Sequence, residues 1–204
     1  VGILHVTQVS APTSPPAAPG AFAALRRRYA RLSPDIGGRL PALALTLAIG
    51  DLAGAFTLDE VMTRLSVFAD EALGRAIREA AKMRTGLDSP DGFFALALGK
   101  HGARELNYSS DIDPILLFDP DVLAEGERSG PADTAQRMAR DILRLLSDHT
   151  EEGYVFRVDL RLRPAAEITP LAVSVNAALS HYESAALAWE RAAFIRARSA
   201  AGDI

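Results

Sequence analysis

Gly99-Lys100-His101-Gly102-Ala103-Arg104-Glu105-Leu106-Asn107-Tyr108-Ser109-Ser110-Asp111-Ile112-Asp113 is the stretch on which the reading of this chain turns. The apolar run Phe93-Phe94-Ala95-Leu96-Ala97-Leu98 leads into it, and Ile115-Leu116-Leu117-Phe118 leads out. Short apolar runs bounded by glycine and polar residues predict two strands joined by a glycine-bearing turn. Residues i and i+2 of a strand project from one face. Asp111 and Asp113 are therefore expected to point together while Ile112 enters the core. Two like charges on one face repel, and a cation that prefers hard oxygen ligands, such as Mg²⁺, removes the objection. An exposed strand end is the plainer reading of the same pair.

A second stretch carries matching chemistry. Tyr154-Val155-Phe156-Arg157-Val158-Asp159-Leu160-Arg161-Leu162-Arg163 alternates over its second half, which predicts a half-buried strand. Val158, Leu160 and Leu162 form its apolar face, and Arg157, Asp159, Arg161 and Arg163 the other. Guanidinium forks match phosphate oxygens in pairs, so this face reads as an anion cradle holding a third carboxylate. Metals bridged by aspartates orient an attacking oxygen and stabilise a leaving phosphate in line. A small residue by the phosphates, here Gly99, then Asp111 with Asp113, then Asp159, is what such a site needs. The arrangement resembles the nucleotidyltransferase superfamily. The expected fold is α/β (α+β): a small mixed sheet packed on helices, with a helical amino-terminal extension.

The longer pattern is closer still. The stretch from Gly99 to Asp113, with Val158-Asp159-Leu160-Arg161-Leu162-Arg163-Pro164, Trp189-Glu190-Arg191, Arg196-Ala197-Arg198 and Ala201-Gly202-Asp203, resembles the glutamine synthetase adenylyltransferase/adenylyl-removing family over about residues 51–204. That family carries two related nucleotidyltransferase domains, one removing AMP from a tyrosine of glutamine synthetase by phosphorolysis to ADP, the other attaching AMP from ATP. Ser109-Ser110-Asp111-Ile112-Asp113, Thr169-Pro170 and Trp189-Glu190-Arg191 look more like the removing domain.

The resemblance implies that Asp111, Asp113 and Asp159 are catalytic and hold Mg²⁺, and that Gly99, Lys100, Ser109, Ser110, Arg161 and Arg163 meet nucleotide or phosphate. It implies as partners adenylylated glutamine synthetase, ADP or ATP, orthophosphate, and the signal protein PII through the full-length enzyme. Glu190, Arg191, Arg196 and Arg198 either support the nucleotide pocket or form a salt-bridged helix. Attachment of AMP, and a degenerate binding domain without turnover, are the alternatives. Departures from the family pattern are His101 for leucine, Ala103 for glycine, Pro114 after the aspartate pair, and Ala166 and Ile168 for Gly and Ser. Proline cannot donate to a ladder, so a strand through Pro114 is expected to be an edge or bulged.

The totals bound the rest. The chain has 204 residues, a formal net charge of −4, 49% hydrophobic residues and no cysteine. The charge argues against a general nucleic-acid binder, and the missing cysteines exclude disulfides and thiolate metal sites. Pro41–Leu52, the most apolar part, is too short for a membrane span, and Val1–Val6 lacks the basic flank of a secretory signal. A cytoplasmic protein without a membrane partner is the expectation.

Residues 1–50 read as a Pro/Ala-rich leader and partial helical region, with 51–204 as the nucleotidyltransferase-like domain. Within the leader, 7–20 reads as extended and Ala21–Leu32, with Arg26-Arg27-Arg28, as a helix whose arginines form a solvated face. Thr57-Leu58-Asp59-Glu60 forms a capping box opening a helix over about 57–84 that ends near Gly86. Further helices are predicted over Thr134–His149, Asn176–Tyr182 and Leu187–Arg198, with Leu145 on a core stripe, Trp189 a core anchor and Tyr108 a packing residue. His5, His101, His149 and His181 read as surface or satisfied histidines rather than ligands.

Overall fold

The computed structural model describes residues 36–126, 130–148 and 154–204. The leader stretch 7–20, the helix expected over Ala21–Leu32, His5 and His149 lie outside the described residues.

Helix α1, Ile36–Leu52, precedes the long helix α2, Leu58–Thr85. The capping box sets where α2 begins: Thr57 Oγ1 accepts the Glu60 N–H at 3.2 Å, and the Glu60 carboxylate accepts the Thr57 N–H at 2.8 Å. Gly86 ends it in the left-handed conformation, with its N–H on the Lys82 carbonyl. Between them Val61, Leu65, Phe68, Ala69, Ala72, Leu73, Ile77 and Ala80 are buried at three- and four-residue steps.

Strands β1 (Phe93–Leu98), β2 (Asp113–Phe118), β3 (Ala172–Ser174) and β4 (Arg198–Gly202) make one sheet in the order β3-β2-β1-β4. β1 runs antiparallel to β2 and to β4, while β2 and β3 are parallel. The remaining helices are α3 (Gly99–Ala103), α4 (Pro131–Ser147), α5 (Val175–Ser184) and α6 (Ala188–Ala193), the last followed by a 3₁₀ turn, Phe194–Arg196. This is the expected small mixed α/β sheet on helices.

Both faces of the sheet are covered, so alternate residues of one strand enter different cores. Phe93 and Ala95 of β1, with Leu116 and Phe118 of β2, pack with α2 and with Met138, Ala139 and Ile142 of α4. Phe94, Leu96, Leu98, Ile115 and Leu117 face the other way, against Ala178 of α5 and Phe194. Asp113 shares this second face with Ile115 and Leu117, whereas Ile112, fully buried, enters the first core as expected.

Several sequence expectations need correction. The strand predicted across Tyr154–Arg163 reduces to a single parallel bridge, Ile112 with Val158, after which the chain turns at Arg161. Leu160 joins the first core and Leu162 the second, so the alternation marks a chain passing between faces. The helix expected over Leu187–Arg198 breaks after Ala193, and Arg198 already belongs to β4. Trp189 is 51% exposed, Tyr108 47% and Leu145 45%; none is a core residue. Pro114 lies in an interior strand, but between the bridge at Ile112 and Leu116, where the β3 ladder begins. Pro114 is paired with Ala97 of β1, and its missing N–H falls outside the β3 ladder.

Candidate functional site

The register of β1 against β2 builds the site. Leu98 pairs with Asp113, so the residue after Leu98 is delivered against the aspartate. That residue is Gly99, at φ +56°, and a Cβ on it would lie 2.5 Å from Asp113 Oδ2. Only glycine takes this backbone without strain and leaves the carboxylate room. Three residues on, Gly102 is equally confined, since a Cβ there would lie 2.0 Å from the Arg196 carbonyl oxygen.

The structure brings Asp111, Asp113 and Asp159 together. The Ile112–Val158 bridge joins their two segments, with the Asp159 N–H on the Ile112 carbonyl at 2.9 Å and the Ile112 N–H on the Arg157 carbonyl at 3.0 Å. Burial and then the charges of Asp159 and Asp111 push the Asp113 carboxyl above the ordinary carboxylate value. Asp113 makes no hydrogen bond or ion pair among the described residues, whereas its neighbours are both engaged. Arg157 Nε donates to Asp111 at 2.5 Å and its Nη2 to the Ser109 carbonyl at 2.7 Å. Arg161 donates to Asp159 from its backbone N–H at 2.9 Å and from Nη2 at 2.5 Å, which holds the Asp159 carboxyl below its usual value.

The donor set fits a divalent cation in kind: three carboxylates, the middle one unpaired, beside a glycine that leaves it space. As the side chains stand, two of the three are turned to arginines. Among the described residues no group of three His, Cys, Asp or Glu converges to hold a metal ion. Both arginines can move, since Arg161 is 86% exposed and Arg157 50%.

The other predicted residues sort differently. Lys100 is exposed beside Gly99, with no ion pair among the described residues. The Ser109 N–H caps Asn107 Oδ1, and the Ser110 hydroxyl donates to the same atom at 2.8 Å, so Ser110 closes a local turn. Arg163 is turned away from the carboxylates. Its guanidinium donates to the carbonyls of Leu160, Ala166, Thr169 and Pro170, which staples the 160–170 loop instead of presenting a free fork. Glu190 is buried and accepts from His181 at 2.9 Å and from the Leu187 N–H at 2.8 Å. Arg196 pairs with Glu105 at 2.8 Å. A cleft of about 740 Å³ is lined by Arg161, Ile168, Leu187, Trp189 and Glu190, and Arg161, which holds Asp159, links it to the carboxylates.

Sequence reasoning missed Asp70. Burial alone would raise its carboxyl, but hydrogen bonds from His101 at 2.7 Å and Arg198 at 2.9 Å hold it below the ordinary value. The signal was an acid inside the apolar stripe Phe68-Ala69-x-x-Ala72-Leu73 of α2. No helix among the described residues is long and apolar enough to cross a membrane.

Residues 41–204 match the family described as glutamate-ammonia ligase adenylyltransferase. The chain is 45% identical over 172 residues to a bifunctional glutamine synthetase adenylyltransferase/adenylyl-removing enzyme of Caulobacter vibrioides, covering 79% of this chain and 17% of that protein. The protein of the same name from Xanthobacter autotrophicus is 39% identical over 213 residues, covering 98% of this chain and 21% of its own length. The Mesorhizobium japonicum protein is 45% identical over 169 residues, 78% of this chain and 17% of its own. The chain thus spans only about a fifth of the length of these curated relatives.

Proposed function

This chain belongs to the glutamate-ammonia ligase adenylyltransferase family, and from that premise we propose that it removes AMP from adenylylated glutamine synthetase by phosphorolysis. The observation that carries the reading is the unpaired Asp113, packed on Gly99 and pressed by the charges of Asp159 and Asp111. Support for the removing direction comes from Ser109-Ser110-Asp111-Ile112-Asp113 and Trp189-Glu190-Arg191. In the reaction an orthophosphate oxygen attacks the phosphorus of the AMP group. The bond from phosphorus to the tyrosyl oxygen breaks, a proton goes to that oxygen, and ADP leaves.

Mg²⁺, held by Asp111, Asp113 and Asp159, would neutralise charge on the reacting phosphates. The protein's part is positional. Arg161, on leaving Asp159, swings between the carboxylates and the head of the cleft, where it meets phosphate oxygens as a fork. Lys100 adds a second cation from the other side of Gly99. The nucleoside occupies the cleft beyond Arg161, against Ile168, Leu187 and Trp189. Arg163 holds the floor of that cleft by its four carbonyls and does not itself contact phosphate.

The test supplies adenylylated glutamine synthetase, Mg²⁺ and orthophosphate, and follows ADP release by the wild type and by Asp113→Asn. Phosphate-dependent ADP that vanishes in the variant is the expected result. ATP-dependent attachment of AMP in its place would reverse the assigned direction. A folded chain silent in both assays would make it a binding domain.

A further inference from the structure

Asp70 of α2, His101 of α3 and Arg198 of β4 come from three elements and meet around one short turn. Asp70 Oδ1 accepts from His101 Nε2 at 2.7 Å and from Arg198 Nη2 at 2.9 Å. Arg198 Nη2 also donates to the His101 carbonyl at 3.1 Å, and its Nε to the Gly102 carbonyl at 3.2 Å. His101 is wholly buried, and its Nδ1 has no hydrogen-bond partner among the described residues. An unanswered ring nitrogen in a core is unfavourable, and an apolar side chain would avoid it. Packing alone therefore does not account for a histidine here.

Its position does. α3 spans five residues, too short to hold itself by its own hydrogen bonds. The carbonyls at its carboxyl end are orphaned unless something outside the helix takes them. Arg198 takes the Gly102 carbonyl and shares the His101 carbonyl with the Arg104 N–H, and Asp70 fixes both Arg198 and the His101 ring from the rigid long helix. Gly102, confined by the Arg196 and Ala97 carbonyls, removes the remaining slack at that end of the turn. At the other end Gly99 lies against the Asp113 carboxylate. A shift of α3 therefore passes directly to Asp113. We propose that Asp70, acting through His101 and Arg198, is a positioning residue that holds the Gly99–Ala103 turn and thereby sets the Asp113 carboxylate for cation binding. This role rests on the metal-site reading given above.

The same helix supplies its own comparison. Near the carboxyl end of α2, Arg84 donates to the buried Asp141 at 2.5 Å and 2.9 Å, and Arg144 pairs with that carboxylate too. Here too one aspartate is shared by two basic side chains, but Asp141 ties α2 to α4 and touches no residue of the site.

The experiment titrates the 204-residue chain with Mn²⁺ and reads free Mn²⁺ by its electron paramagnetic resonance signal. It compares wild type with Asp70→Asn, Arg198→Lys and Arg84→Ala. Each variant is measured at a temperature where circular dichroism shows it fully folded. Loss of a residue that orients a metal ligand weakens metal binding by about 10–100-fold. Asp70→Asn and Arg198→Lys are expected to fall in that range, and Arg84→Ala to stay within about twofold of the wild type. Wild-type uptake with Asp70→Asn unchanged would overturn the clamp alone. Equal loss in Arg84→Ala would overturn it too, because general stability would then explain the effect. A wild-type chain that takes up no Mn²⁺ would overturn the metal-site reading and this role with it.

Discussion

Gly99→Ala separates the structural from the functional demand on one residue. At φ +56° a side chain meets left-handed strain of about 1–2 kcal/mol. The added Cβ would stand 2.5 Å from Asp113 Oδ2, where ordinary contact begins at 3.4 Å, so the carboxylate must retreat by 3.4 − 2.5 = 0.9 Å. That atom is the free end of a side chain, and turning it aside adds little to the strain. The melting temperature is therefore expected to drop by only roughly 2–8 °C for a chain of this size. Catalysis has no such tolerance, since displacement of about 1 Å in a reacting assembly costs on the order of 10²-fold. Gly54→Ala is the matched control: Gly54 has φ +65° and nothing within 4 Å of its virtual Cβ, so it carries the strain without the clash. Thermal melts and phosphate-dependent ADP release are measured on both variants. Similar melting losses, with activity lost about 100-fold only in Gly99→Ala, are expected. If the two variants keep equal activity, the placement of Asp113 against Gly99 does not matter to the reaction, and the reasoning fails.

Three further outcomes follow from the same structure. Burial and the charges of Asp159 and Asp111 raise the Asp113 carboxyl above 3.8, so the folded chain holds this proton more tightly than the unfolded one; the stability it contributes is present below 3.8 and lost as pH rises through the raised value. Asp113→Asn is thus expected to melt above the wild type in metal-free buffer at neutral pH, the gap closing toward pH 4 in melts run across that range. Thr57→Ala removes the capping box and should cost about 1 kcal/mol, read as a lower melting temperature with metal binding unchanged. Trp189 is the only tryptophan and lines the cleft half-exposed, so ADP is expected to quench intrinsic fluorescence while orthophosphate alone leaves it unaltered; equal response to both would remove the nucleoside from the cleft.

The legible parts of the fold were those with local causes. The capping box and Gly86 mark both ends of α2 without help from the rest of the chain. The runs Phe93–Leu98 and Ile115–Phe118 announce themselves because a sheet covered on both faces needs unbroken apolar residues. β4 was invisible because Arg198-Ser199-Ala200-Ala201-Gly202 has no strand character of its own and is a strand only through its pairing with β1. The Arg157–Arg163 alternation misled for the opposite reason: its period matched a strand, but Leu160 and Leu162 serve different cores. That Asp111, Asp113 and Asp159 lie near one another was expected from residue type and spacing. What each arginine does was not, because Arg161 and Arg163 differ only in what surrounds them: a carboxylate for one, four carbonyls for the other. Asp70 escaped because its partners are distant in sequence.

The pairing of Phe94 with Gly202 also bears on how the molecule is made. On the ribosome β1 and β2, the antiparallel pair that carries Asp113, emerge before Arg198 and the strand around it. Closing so long a loop is slow on entropic grounds. Until it closes, β1 offers a row of bare N–H and C=O groups, a ready template for another chain. A nascent chain stalled before Arg198 would therefore hold its acidic residues already in place beside an open, adhesive edge. Translation pace between β2 and β4, as much as any contact in the finished fold, would then bear on whether this part of the chain assembles or aggregates.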